Sequence, residues 1–576
     1  MASKETISDP IPNNDNIEII PTIDDDTLNK TICQNNDGIE LGQVELLPGL
    51  EPATAYIYGI ALVFTLGDKK RTTRSNSYHV KREKAKVASV NSKEIGFEEK
   101  ANQPQCVIIK WEDFVNCRLR EKGQKNENYE LEIISFEVYA LTKKMRYKRR
   151  RRCVLTFAVV PQSNESQIQA NWIDKITLTG RKFVQKKFAN TRELNDEELL
   201  AKKRVLILLN PVSGKRTGLK IFHAHVEQFL NDAGVEFELF VTQRANHARE
   251  RLHDEDLDKW DGLLFMSGDG LLNEGVNGLL SREDATVAIQ KPYGIIPCGS
   301  GNAIVGAILH YSHEDYSPLN AAFVFTKGLY SFCLHPMDVG LCIQGERKTY
   351  FCLVVNWGFS GDVDIESEVF RKIGEFRFIL GAIWRVVDRR IYRADISYLP
   401  YDEIPDVAKG IGSGNENSIP GNVEPEVTIS LPNNSGVENN LNSESPSPKP
   451  IEPSSWIDLP GPFTNVLLTL SPMLSHELFC APSHKFGCGY FTLVNIPYTN
   501  VSRMQVLQMV DSFKEDNLAN FVRLTFTKVK AFRFTPIYPP KGYIVVDGEV
   551  VPYETCSAEI TGHKMFITSL FEKESQ

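Results

Sequence analysis

Apolar residues change their spacing along this chain, and each change marks a boundary. Residues 1 to about 45 show no apolar periodicity and read as an acidic, disordered segment. From 46 to 185 short strand-type runs recur, "ATAYIYGIALVFTL", "QCVIIKW", "ELEIISFEVYAL" and "CVLTFAVV". The stretch closes on "NESQIQANWIDKITLTGRKFVQ", whose apolar positions repeat as a helix does. Residues 204 to 310 alternate instead. "RVLILLN", "VEFELFVT", "GLLFMS" and "YGIIP" read as strands, and "GLKIFHAHVEQFLNDAG", "HARERLHDED", "LLNEGVNGLLS" and "GNAIVGAILHY" as the helices between them. Such βα alternation predicts an α/β domain over 200–325 with a mostly parallel sheet, and places ligand sites at the carboxyl ends of the strands. Beyond 326 long β-type runs such as "KTYFCLVVNWGF" and "GYFTLVNIPY" predict an antiparallel β-sandwich domain reaching 576. It is interrupted over about 401–455 by a segment too rich in Pro, Ser, Asn and Gly to pack.

Strands followed by one helix make 46–185 similar, in topology, to a pleckstrin-homology module. Inside it "KKMRYKRRRR", residues 143 to 152, carries eight basic side chains. It reads as a solvated loop, a nuclear address or, the preferred functional reading, a patch attracted to anionic lipid head groups. Net charge changes the picture in one direction only. At -9 with a sequence pI near 5.8, the chain lacks the basic excess of a nucleic-acid binder. The acidic start has no signal-peptide pattern, and no apolar run reaches the roughly 18 residues of a spanning helix. Membrane contact is therefore expected to be peripheral. Eleven cysteines without a CxxC pair suit reduced, buried thiols and a cytoplasmic location.

Candidate chemistry gathers at three strand-to-helix junctions: "LLNPVSGKRTG" (208–218), "MSGDGLLNE" (266–274) and "IPCGSGNAIVG" (296–306). Each leads glycines into a helix N-terminus, where backbone N–H groups and the helix dipole favour anions, so together they describe a phosphate-lined cleft. Leu209 stands where a P-loop needs its first glycine, and Asn273 where a dinucleotide fingerprint needs its third, so neither class is indicated. Asp269 could be an ordinary helix cap. The glycines on either side of it, Gly268 and Gly270, would instead let the main chain approach a bulky anion and take positive φ. Helix-end N–H groups should lower the pKa of Asp269, which phosphoryl transfer tolerates because the attacking hydroxyl needs orientation more than strong deprotonation.

The set "SGDGLLNEGVNGL", "AIQKPYGIIPCGSGNA", "NHARE", "NWGFSGDVDIESEVFRKIGEFRFILG" and the late "VDGE" resembles, in order and spacing, the catalytic region of the diacylglycerol and sphingosine kinases, sphingosine kinases in particular. The resemblance implies an ATP- and magnesium-dependent lipid kinase that phosphorylates the primary hydroxyl of a long-chain base. It implies Asp269 as the base on that hydroxyl, with Ser267, Gly268 and Gly270 shaping the pocket. Asn210, Pro211 and Val212, the run Thr242, Gln243, Arg244, Ala245 and Asn246, Glu274, and Gly299, Ser300 and Gly301 would surround the nucleotide. Arg371 and Arg377 would hold phosphates, Asp547, Gly548 and Glu549 would close the nucleotide side with Asp547 on the metal, and Asp364 would meet the substrate ammonium. Asp362 and Asp364 alternate as on a strand and so would share one side. In the amphipathic stretch 376–390, Phe378, Leu380, Ile383 and Trp384 would cover an acyl chain or touch a bilayer. Ceramide or diacylglycerol as acceptor, a non-catalytic membrane adaptor, and dimerisation stay open.

Overall fold

The computed structural model describes residues 39–45, 52–57, 61–66, 106–121, 129–142, 147–159, 166–189, 192–299, 301–373, 376–401, 455–499, 501–512, 524–539 and 541–572. The expected disordered start, 1–45, is corrected at its end, where Ile39–Glu45 forms a strand paired with Pro52–Ile57; residues 1–38 and 402–454 lie outside the described residues. The chain separates into two compact units, 1–137 with 152–183, and 138–151 with 184–576.

In the first unit, seven strands from Ile39–Glu45 to Tyr147–Val159 form an antiparallel sheet, and the helix Ser166–Phe188 follows. Trp111, Phe114, Ile133, Ile134 and Phe136 fill its core. Gly180 lets the helix lie directly on that core, since a Cβ there would stand 2.6 Å from the Phe114 ring.

The second unit bears out the βα reading. Parallel strands Glu236–Val241, Arg204–Leu209, Gly262–Ser267 and Pro292–Pro297 lie side by side in that order. Two of them, Arg204–Leu209 and Gly262–Ser267, are buried almost from end to end, as a two-sided sheet requires. The helix after the first strand ends at Gly234, whose φ of 72° supplies the left-handed cap. Pro318–Ser331, not anticipated as a helix, is buried on every side, so its sequence carries no amphipathic stripe.

The expected division into an α/β sheet and a separate sandwich is corrected. The last strand, Cys556–Thr568, pairs parallel with Pro292–Pro297 and antiparallel with Leu334–Gln344 and Thr525–Pro536, so both parts share one mixed fifteen-stranded sheet. A second correction concerns the basic run. Within this unit Arg150 is buried, ion-paired with Glu314 at 2.7 Å, and Arg149 meets Asp315 at 3.1 Å. Strand alternation turns Arg150 inward and leaves its neighbour Arg149 exposed, so one residue of the run is spent on an internal carboxylate. Residues 143–146 lie outside the described residues. Among those described, no helix is long and apolar enough to cross a membrane.

Candidate active site

The three glycine junctions meet main chain to main chain. Asn210 N donates to the Met266 carbonyl (3.2 Å), Cys298 N to the Ser267 carbonyl (3.1 Å) and Asp269 N to the Gly301 carbonyl (3.1 Å). Ser267 Oγ donates to Ser213 Oγ at 3.0 Å, a buried pair that the sequence did not single out. A Cβ on Gly268 would stand 2.5 Å from the Gly301 oxygen, and one on Gly299 2.5 Å from Gly268 N. Glycine is therefore demanded by packing of one loop on another. The expected positive φ is not found at Gly268, whose φ is -93°, and Gly270 has nothing within 4 Å of its Cβ position. The left-handed turn falls instead at Gly214, φ +51°.

Asp269 opens the helix Asp269–Leu280 but does not cap it, since Gly268 is the N-cap. Its carboxylate reaches across to the next helix, Ala303–Tyr311, and accepts from Ala303 N (2.7 Å) and Ile304 N (3.3 Å). These amides were expected to lower its pKa. Burial outweighs them, with Asp547 adding a like charge, and its pKa is pushed up to about 6. A buried carboxyl that ionises near neutrality is better matched to proton acceptance than an ordinary aspartate.

The nucleotide-side expectations divide. Asn210 Oδ1 accepts from Val212 N (3.0 Å), which folds 210–212 into a tight turn and leaves the Val212 side chain exposed. Thr242 is buried against the Leu209 carbonyl, and Asn246, at φ 61°, caps the helix His247–Asp254. Arg244 is turned to solvent and paired with Glu250. The backbone amides of Asn246 and Ala248 favour the charged form of Glu274, but burial outweighs them and raises its pKa. Its Oε2 is buried and finds no hydrogen-bond donor among the described residues, an orphaned acceptor that fits a ligand amine such as that of adenine. Ser300 lies outside the described residues.

Asp547 and Gly548, at φ 46° and 85°, make the tight turn between Ile544–Val546 and Glu549–Val551. Asp547 Oδ1 accepts from Leu353 N (3.0 Å) and Val354 N (2.7 Å), and Oδ2 from Cys352 N (2.8 Å) and Asn273 Nδ2 (2.9 Å). A carboxylate offers about four lone-pair sites, and here all are taken. The expected placing of Asp547 directly on magnesium does not fit this donor set, and no group of three His, Cys, Asp or Glu among the described residues is spaced to hold a metal.

Asp362 and Asp364 do not share a side. Gly358, at φ +101°, ends the strand Val354–Gly358 and starts the helix Phe359–Glu366, so residues two apart point nearly opposite ways. Asp362 is fully buried and accepts from Tyr392 Oη (2.8 Å), Arg390 Nη1 (2.5 Å) and Tyr543 N (3.2 Å). Asp364 is partly exposed, and burial pushes its pKa up to about 6 despite the Arg377 guanidinium 3.8 Å away. Arg377 is buried and also paired with Glu368, so in this structure it serves carboxylates. The side chains of Arg371 and Phe378 lie outside what is described. On the helix Phe376–Val387, Ile383, Trp384 and Val387 are 49, 63 and 64% exposed, while Ala382 and Val386 pack inward.

The diacylglycerol kinase catalytic domain family matches residues 204–325. Sphingosine kinase 1 of Homo sapiens is 35% identical over 373 residues, 64% of this chain and 91% of that protein. Sphingosine kinase 1 of Arabidopsis thaliana is 32% identical over 355 residues, 61% of this chain and 68% of that protein. A crystal structure of a diacylglycerol kinase from Bacillus anthracis str. Sterne aligns over 64% of this chain and 97% of its own, at 15% identity and a TM-score of 0.38, too distant to carry any inference. With the human relative covered almost from end to end at that identity, the chain belongs to the sphingosine kinase family.

Proposed function

We propose that the protein is an ATP-dependent lipid kinase that transfers a phosphoryl group to the primary hydroxyl of sphingosine or a related long-chain base. The observation that carries this is Asp269, a buried carboxyl of raised pKa fixed where three glycine junctions meet. Asp269 orients the hydroxyl and takes its proton late in the transfer, when the loose transition state makes the attacking oxygen acidic. The turn at 210–212 and the glycines 299 and 301 line the phosphate side, and the orphaned Oε2 of Glu274 accepts from the base of the nucleotide. Asp364 reads the substrate ammonium, drawing on a carboxylate that Arg377 only partly neutralises. Arg371 and Arg377 turn to phosphate once the carboxylates beside Arg377 have a cationic substrate to share. Magnesium, when bound, supplies charge neutralisation on the phosphates and is held by nucleotide and water more than by protein carboxylates.

The exposed face of Ile383, Trp384 and Val387 seats the protein peripherally on the membrane from which substrate is drawn, in a cytoplasmic setting. The N-terminal sheet and helix act as a pleckstrin-homology-like module.

The decisive experiment is a labelled-ATP assay on a panel of sphingosine, ceramide and diacylglycerol. The expected result is phosphorylation of sphingosine that Asp269→Asn reduces by roughly three orders of magnitude while nucleotide binding persists. Phosphorylation of a neutral lipid alone, or turnover that survives the substitution, overturns the proposal.

A further inference from the structure

Two asparagines to which the readings above give no role toward the ligand lie on the helix that carries Asp269. Asn273 stands one turn beyond Asp269 and Asn277 one turn further, so they share its face. Asn273 Nδ2 donates to Asp547 Oδ2 (2.9 Å) and to the Tyr350 carbonyl (3.0 Å). Asn277 Nδ2 donates to the same carbonyl (2.9 Å) and to the Asn273 carbonyl (2.9 Å), and its Oδ1 accepts from Tyr350 N (3.0 Å). Tyr350 belongs to Arg347–Phe351, a strand paired on one side only, with Leu334–Gln344. The Asn277 amide thus stands in for the missing neighbouring strand, one donor and one acceptor against one backbone acceptor and donor.

The ladder continues through Asp547. Its carboxylate takes the amides of residues 352–354 just after the Tyr350 strand, and its own N donates to the Val354 carbonyl (2.9 Å). Asp547 is held in a left-handed conformation, which is unfavourable for an L-residue and persists only where its surroundings fix it. Asn273 is the one amide side chain among these donors, the weaker Cys352 thiol lying 3.6 Å from the same Oδ2. It comes from the other side of the cleft, and it points the turn at its target. Glu549, two residues on, is exposed, and its negative charge adds to the raised pKa of both Glu274 and Asp364.

We infer that Asn273, backed by Asn277, is a positioning residue that locks the Asp547–Gly548–Glu549 turn in register with the Asp269 helix, and so sets the geometry of the nucleotide side of the cleft. This rests on the kinase reading above, but fails separately from it. A chain that phosphorylates no lipid defeats that reading, whereas an active chain indifferent to Asn273 defeats only this one.

The test uses the full chain with Asn273→Ala and Asn273→His, because the imidazole Nδ1 can sit where the amide nitrogen does. Measured are KM for ATP, kcat at saturating lipid, thermal midpoint, and affinity for a fluorescent ATP analogue in EDTA. Asn273→Ala should raise KM for ATP and weaken analogue binding roughly tenfold, the loss of about one hydrogen bond to a charged group, with a smaller fall in kcat. Asn273→His should recover most of that affinity. A lowered thermal midpoint with KM and analogue affinity unchanged would overturn the inference, as would failure of the histidine variant to outperform alanine. If Asn273→Ala does not fold, Asn273→Leu, close in volume and without donor or charge, replaces it in the same comparison.

Discussion

Two carboxyls govern this site at the scale of single residues, and burial raises both. Asp269 and Asp364 each ionise near pH 6 in the fold against an ordinary value of 3.8. The sign follows directly. A folded pKa above the unfolded one means the fold favours the protonated acid, so whatever these groups add to stability is present at low pH and lost as pH rises through about 6. Under the proposed mechanism activity runs the other way, because Asp269 as base must be ionised to accept a proton and Asp364 as ammonium reader must be ionised to attract a cation. The expected kcat/KM for sphingosine falls as pH drops through about 6, with a limb steeper than one proton. In Asp364→Asn the limb should flatten to one proton at a lower plateau. A pH profile of both proteins checks this, and an unchanged limb would remove Asp364 from substrate recognition.

At the scale of elements, the glycine junctions work by letting loops touch. Gly268 and Gly299 lie back to back, closer than any side chain allows, and that contact fixes where the helix Asp269–Leu280 begins relative to Ala303–Tyr311. Gly268→Ala should therefore destabilise the protein by about 1–3 kcal/mol, a strain cost read as a lowered thermal midpoint. Gly270→Ala, with open space about its Cβ position, should be neutral or slightly stabilising because alanine suits a helix better. Activity lost in a Gly270→Ala protein of unchanged stability would show that a ligand comes within a methyl group of that position.

Across the whole molecule, one strand and one ion pair decide how parts are joined. Cys556–Thr568 closes the parallel sheet while anchoring the β-rich half, so the two halves of the cleft share backbone hydrogen bonds and are held as one sheet. Within the second unit the side chains of Arg150 and Glu314, both 2% exposed, form a buried pair, with Asn320 Nδ2 also donating to Glu314 at 2.8 Å. Arg150→Met leaves a buried carboxylate facing an apolar chain and should cost about 3–5 kcal/mol, whereas Arg150→Met with Glu314→Gln should cost much less. Denaturant unfolding of the single and double variants checks the difference. A run of basic residues that looked like a membrane patch would thereby be shown to act, at Arg150, inside the protein.

How much of this was legible follows from range. Periodicity and turn chemistry are local, and they sufficed for the βα alternation, the three glycine junctions, the left-handed cap at Gly234 and the position of Asp269 at a strand-to-helix corner. They failed where a neighbour in space decides. The Phe359–Glu366 helix was hidden behind an alternating acidic pattern until Gly358 turned the chain. Pro318–Ser331 was hidden because burial on all sides erases the stripe that marks a helix. The pKa of Asp269 was misjudged in direction because the amides it meets are two among many neighbours, and desolvation is a property of the closed fold. What the sequence by itself determined is the order of elements and the chemistry carried at their corners, since these depend on residues a few positions apart. Only the tertiary structure decided which carboxylate is saturated, which arginine is spent on an internal partner and which asparagine spans the cleft, because hydrogen-bond capacity is allotted between residues such as 273 and 547 that are distant in the chain.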